Sequence, residues 1–183
     1  MLGDKAYTGS KKLTDKIKID GFGEIDIAKL VLSPTRTYAP VFALLHKEGL
    51  AKILSGAVHN SGGGQTKVLK YLSRPLSIVK DNLFPVPPLF EMIWSEVEAD
   101  LRKTEKEDLP KKINEARRNM YKTFNMGNRM ELYTPYRLGA AEIMDAAKSQ
   151  GVDAKIIGRV EAREKGNSRV LINVARNQQY VYE

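Results

Sequence analysis

Cysteine is absent from this chain. That excludes disulfide staples, thiolate metal sites and cysteine nucleophiles in one step, and it fits a reducing compartment. Histidine is scarce: His46 and His59 are the two in 183 residues. No apolar run approaches the ~20 residues that a membrane-spanning helix needs. The opening MLGDKAYTGSKKLTDK lacks the apolar core of a signal peptide. The expectation is a soluble, cytoplasmic protein with no membrane partner. Neither a Walker A loop nor a dinucleotide fingerprint occurs. Basic residues interleaved with aromatics are missing too, so no nucleic-acid partner is expected.

What is present is an ordinary globular composition. Hydrophobic residues make up 42% and charged residues 28%, enough to bury a core. The length suggests one domain, or one domain with a tail. A formal charge of +8 favours anionic partners, of which phosphorylated small molecules are the leading candidates.

Residues 1–25 are polar and glycine-punctuated, with IKI the only strand-like run; they read as a tail or connector from a larger protein, and 26–183 as the domain. In SPTRTYAPVFALLHKEGL, Tyr38, Val41, Phe42, Leu44 and Leu45 share one side of a helix that Gly49 ends. AKILSGAVHN reads as a strand, GGQTKVLKYLS as a short helix, and LSIVKDN as a second strand. Leu89 to about Phe124 reads as helical, interrupted by a charged stretch where Pro110 suits a helix's first turn. The alternating charges of 96–122 describe a solvated helical face. RMELYT is a strand, and Thr134 and Pro135 start a helix that runs to Gly151. DAKIIGRVEA, REKGNS and RVLINV read as a closing hairpin. This order predicts an α/β (α+β) domain, a mixed sheet with helices packed on it.

The candidate site centres on HNSGGG. A strand delivers the chain into glycines that open a helix, so backbone N–H groups can turn toward an anion without a Cβ in the way. A helix N-terminus adds positive potential. Ser61 and Thr66 offer hydroxyls, and Lys67 a charge. A flexible turn is the plain alternative. His59 at the strand end could face a cleft and titrate near neutral pH, whereas His46, inside a helix, is given no role. Arg36, among hydroxyl residues before a helix, reads either as a phosphate clamp with Thr35 or as a surface residue beside an N-cap. Asn125 and Gly127 in FNMGN read either as a tight turn or as a loop that lets Asn125 bond a ligand.

LSPTRTY (32–38), HNSGGG (59–64), PPLF (87–90), MYKTFNMG (120–127) and GVDAKIIGRV (151–160) stand in this order over roughly residues 30–162. Together they resemble the C-terminal domain of the aminoimidazole ribonucleotide (AIR) synthetases, the phosphoribosylformylglycinamidine cyclo-ligases. The resemblance implies a three-layer α/β/α arrangement around a mixed sheet. It also implies ATP-dependent ring closure of formylglycinamidine ribonucleotide to AIR in purine biosynthesis. In that chemistry ATP phosphorylates the formyl amide oxygen, an internal nitrogen attacks the activated carbon, and phosphate leaves. Positioning and charge stabilisation carry such phosphoryl transfer.

Under that resemblance His59 is the catalytic candidate. Thr35, Arg36, Asn60, Ser61, Gly62, Gly63, Gly64, Asn125 and Gly127 are the substrate or phosphate contacts. The cofactors implied are ATP and Mg²⁺, bound mainly by an N-terminal domain with an Asp-rich motif that has no counterpart here, so no metal ligand is assigned to this chain. That domain is an implied partner, and the full-length protein an implied homodimer. The chain is therefore expected to be a fragment, inactive alone. It departs from the family at Ser61 (usually threonine), at Asn119 (usually glutamate) and at QTKVLK, where Asn and Arg commonly follow the glycines. The alternatives are the equivalent domain of formylglycinamidine synthetase or selenophosphate synthetase, and a stand-alone module binding a phosphorylated metabolite.

Overall fold

Short apolar runs separated by left-handed glycines set the order of elements. The computed structural model describes residues 10–135, 137–175 and 178–183, apart from the side chain at 138. Strands β1 (Lys16–Ile19) and β2 (Gly23–Asp26) lead into α1 (Ile27–Val31) and α2 (Ala39–Lys47). A 3-10 turn (Leu50–Ile53), β3 (Gly56–His59), a 3-10 segment (Gly64–Tyr71) and β4 (Leu76–Lys80) follow. Then come α3 (Pro88–Thr104), α4 (Leu109–Thr123), β5 (Met130–Tyr133) and α5 (Arg137–Ser149). Strands β6 (Gly158–Ala162), β7 (Arg169–Ala175) and β8 (Gln178–Tyr182) complete the series. The composition is mixed α and β with a mixed sheet, as expected. No helix among the described residues is long and apolar enough to cross a membrane.

Two compact units divide these elements: Met1–Arg36 with Val86–Asn119, and Thr37–Pro85 with Met120–Glu183. The boundary expected near residue 25 falls inside the first unit, and the first nine residues of the expected tail lie outside the described residues. In the first unit β1 and β2 pair antiparallel, Ile17 opposite Ile25. Gly21 and Gly23 carry the positive φ (79° and 76°) that this turn needs. Ile27 is fully buried at the start of α1, and its N–H bonds the Asp15 carbonyl. On α3 and α4 the charges pair within the unit. Arg102 reaches Glu98 one turn back, Lys112 pairs with Glu105, and Arg117 bonds Glu91 while lying over the Trp94 ring. This is the solvated, salt-bridged face that the charge alternation describes.

In the second unit β6-β4-β7-β8 form a four-stranded sheet, with β4–β7 parallel and the other pairs antiparallel. The expected 153–174 hairpin is not formed. β6 and β7 flank β4 on opposite sides, and the true hairpin is β7–β8, whose second strand the sequence reading did not assign. Gly158 explains the arrangement of β6: a Cβ there would lie 1.8 Å from the Val79 carbonyl oxygen, so only glycine lets the strands lie this close. The strand expected across 51–60 is half right. Gly49 (φ 76°) ends α2, the chain then turns through Leu50–Ile53, and extension begins only at Gly56. Val41 and Leu45 of α2 pack on Ile143, Ala146 and Ala147 of α5, with Leu50, Ile53 and Leu132 around them. The two alanines let the helices approach closely. The helix start expected at Thr134 and Pro135 borders Tyr136, which lies outside the described residues.

Candidate functional site

Strand alternation decides which way the site residues point. β3 pairs antiparallel with β5, Val58 opposite Glu131 and His59 opposite Met130. Val58 and Asn60 therefore turn inward and are buried, while His59 between them is exposed. The His59 ring meets the edge of Tyr38, with centroids 6.0 Å apart.

The glycine loop follows at once. The Ser61 amide bonds the His59 carbonyl (2.9 Å), and the Gly64 amide bonds the Ser61 carbonyl (2.9 Å). Among the described residues no acceptor is found for the Gly62 or Gly63 amides. Beside them Lys67 Nζ donates to Ser61 Oγ at 2.5 Å. Gly63 and Gly64 both have positive φ (95° and 49°). A Cβ on Gly64 would lie 2.5 Å from the Phe124 carbonyl oxygen and 2.6 Å from that of Tyr121, whereas one on Gly62 would meet nothing within 4 Å. Gly64 is thus packed against the chain, and Gly62 is open. The expected helix after the loop is a 3-10 segment, Gly64–Tyr71. Its hydrogen bonds are poorly aligned compared with an α-helix, so it offers less of a helix-terminus potential than the expected helix.

Behind the loop sits a buried polar cluster that the sequence reading missed. Lys80 is 1% exposed and Glu131 is 4% exposed. Lys80 Nζ bonds Glu131 Oε1 (2.5 Å), the Gln65 carbonyl (2.7 Å) and Gln65 Oε1 (3.0 Å). All three ammonium hydrogens have acceptors. Burial lowers the Lys80 pKa, and the Glu131 charge opposes that shift. Asn60 Nδ2 donates to Glu131 Oε1 (2.6 Å) and to the Asn128 carbonyl (2.8 Å). Gln65 Nε2 donates to the Asn125 and Asn128 carbonyls (2.5 and 3.1 Å). Tyr133 donates its hydroxyl to Glu131 Oε2 (2.6 Å); burial, then the Glu131 charge, raises its pKa. A signal for this cluster does exist in the sequence. Lys80 falls in phase with Leu76 and Ile78, and Glu131 in phase with Tyr133, so period two places each charge on a face that must be paired.

The FNMGN segment is a tight turn. The Asn128 amide bonds the Asn125 carbonyl, and Asn125 Oδ1 accepts from the Gly127 amide (2.9 Å). Positive φ falls on Met126 (47°) and Gly127 (95°), with Met126 fully buried. The expectation gave that role to Asn and Gly. Thr35 and Arg36 belong to the first unit. Thr37, not Thr35, accepts the Ala39 amide at the start of α2 (3.3 Å). His46 is exposed in the last turn of α2. Among the described residues no three His, Asp or Glu side chains gather as a metal site. Glu131 is taken up by Lys80, Asn60 and Tyr133, so these residues do not fit Mg²⁺.

His59 is thus exposed beside a glycine loop whose Gly62 has open space around it, with Lys67 held on Ser61. No protein-family model matches the chain. Curated relatives do. It is 34% identical to a phosphoribosylformylglycinamidine cyclo-ligase of Methanopyrus kandleri over 139 residues, 74% of this chain and 33% of that protein. It is 28% identical to one of Lachnospira eligens over 142 residues, 76% of this chain and 36% of that protein. It is 29% identical to one of Methanococcus vannielii over 136 residues, 74% and 33% respectively. Over about three quarters of its length the chain is similar to these phosphoribosylformylglycinamidine cyclo-ligases. It spans about a third of the length of those relatives.

Proposed function

We propose that this chain contributes one wall of the substrate cleft of an ATP-dependent cyclo-ligase that closes formylglycinamidine ribonucleotide to AIR in purine biosynthesis. The carrying observation is the juxtaposition at residues 59–67: an outward His59, Gly62 and Gly63 amides with no acceptor among the described residues, and Lys67 held on Ser61. Backbone amides and a lysine together bind a phosphoryl oxygen without a protein nucleophile. His59, at the rim, hydrogen-bonds the bound group or shuttles a proton as charge develops. Thr35 and Arg36 are proposed as further phosphate contacts. Asn60, Asn125 and Gly127 act on the substrate through the shape of the loop and its neighbouring turn. ATP and Mg²⁺ are assigned mainly to an N-terminal domain beyond this chain, in a protein expected to be a cytoplasmic homodimer.

The test is an ATP-dependent cyclisation assay on the full-length protein, with Lys67→Met and His59→Ala beside the wild type. The proposal expects AIR formation by the wild type and a loss of ~10²-fold or more in kcat/KM for His59→Ala. Absence of cyclisation by an intact, folded full-length protein contradicts it.

A further inference from the structure

We propose that Lys80 and Glu131 are positioning residues that hold the 61–64 loop in its anion-binding shape, an inference that rests on the reading of that loop given above. The loop is four residues long, and the residues on either side of it, Asn60 and Gln65, are 1% and 0% exposed. Both are tied to the same ion pair. Asn60 Nδ2 bonds Glu131 Oε1, and Lys80 Nζ bonds that same oxygen as well as the carbonyl and side-chain oxygens of Gln65. Two further bonds from Gln65 fasten the second post to the 125–128 turn. The loop's own bonds are local: the Ser61 amide and carbonyl bond His59 and Gly64, Lys67 holds Ser61 Oγ, and the Gly63 carbonyl accepts from Thr66. They set the loop's internal turn, and glycine is the residue with most backbone freedom to lose, so the direction in which the Gly62 and Gly63 amides face is set by the two posts. Lys80 approaches from β4 and Glu131 from β5, so the pair joins strands of two different sheets directly beneath the loop.

Stability alone is a poor account of this arrangement. Buried ion pairs are often replaced by well-packed apolar residues with no loss of stability. That replacement also separates the two explanations. The chain is compared with its Lys80→Met/Glu131→Leu double variant, both labelled with ¹⁵N, by urea unfolding, backbone relaxation and titration with inorganic phosphate. The proposal expects a folded double variant in which the order parameters of Gly62 and Gly63 fall from about 0.85 to below about 0.6. Gly49 and Gly151, left-handed glycines at the ends of α2 and α5, should keep their values. Phosphate affinity should fall by roughly tenfold or more, the worth of one lost hydrogen bond to a charged group. A folded double variant with wild-type glycine order and wild-type phosphate affinity overturns the proposal. So does a wild-type loop whose order parameters already lie below about 0.6. Should the double variant fail to fold, Gln65→Met removes the three side-chain bonds of the second post, leaving the ion pair and the Lys80 bond to the residue 65 carbonyl in place, and the same two readings decide. A wild-type chain with an ordered loop but no phosphate response at Gly62 and Gly63 contradicts the anion reading; loop order in the variants then still decides whether the pair anchors it.

Discussion

A single residue's direction separates His59 from His46. Both are exposed, so neither holds the core, and His59→Ala should cost at most about 1 kcal/mol, mostly the edge contact with Tyr38. Thermal melts of the two alanine variants should nearly superimpose, while only His59→Ala should lower turnover of the full-length protein. Equal turnover losses, or a large drop in the His59→Ala melting midpoint, would remove His59 from the site. Tyr133 gives a prediction in pH. Its folded pKa is raised above the unfolded value near 10, so the stability it contributes is complete below about pH 10 and is lost as pH rises beyond it. Lys80 acts with the opposite sign. Its folded pKa is lowered, so stability rises with pH between that folded value and about 10.5. Tyr133→Phe should lose about 1–3 kcal/mol at pH 8 through its bond to Glu131. Urea unfolding across pH 8–11 should then show a shallower alkaline decline than in the wild type; parallel profiles would contradict the assignment.

Elements were legible where one signal acted alone. The glycine stop of α2, the strand RMELYT and the long helical stretch split near Pro110 all appear where local pattern puts them. The outward turn of His59 follows from period two once β3 is in place. Pairing was not legible: β6 and β7 are close in sequence and look like a hairpin, yet β4 inserts between them. That choice depends on the close approach at Gly158, which no local pattern reports. The buried cluster was missed for a related reason. A lysine ending one strand and a glutamate within another share the period-two phase of apolar neighbours, but only the fold shows that both are covered and that the two charges meet. Glycine positions test this level directly. Gly64→Ala should destabilise by about 3 kcal/mol or more, because its methyl would collide with backbone atoms at positive φ. Gly62→Ala should stay within about 0.5 kcal/mol, since its methyl meets nothing. Denaturant titrations of the pair check this, and equal costs would refute the packing described for the loop.

At the scale of the molecule, a chain covering about a third of its curated relatives is expected to hold part of a site rather than a whole one. The purified chain alone should form no AIR from ATP and substrate; formation by protein shown free of full-length enzyme would contradict the division of labour proposed here. The claim on which everything else turns is that loop 61–64 receives an anion. Titration of the ¹⁵N-labelled chain with inorganic phosphate tests it most directly. The account predicts saturable amide shifts confined to Ser61–Gly64 and Lys67, and their loss in Lys67→Met. Shifts that fail to saturate, or that spread equally over exposed lysines such as Lys47 and Lys52, would contradict it.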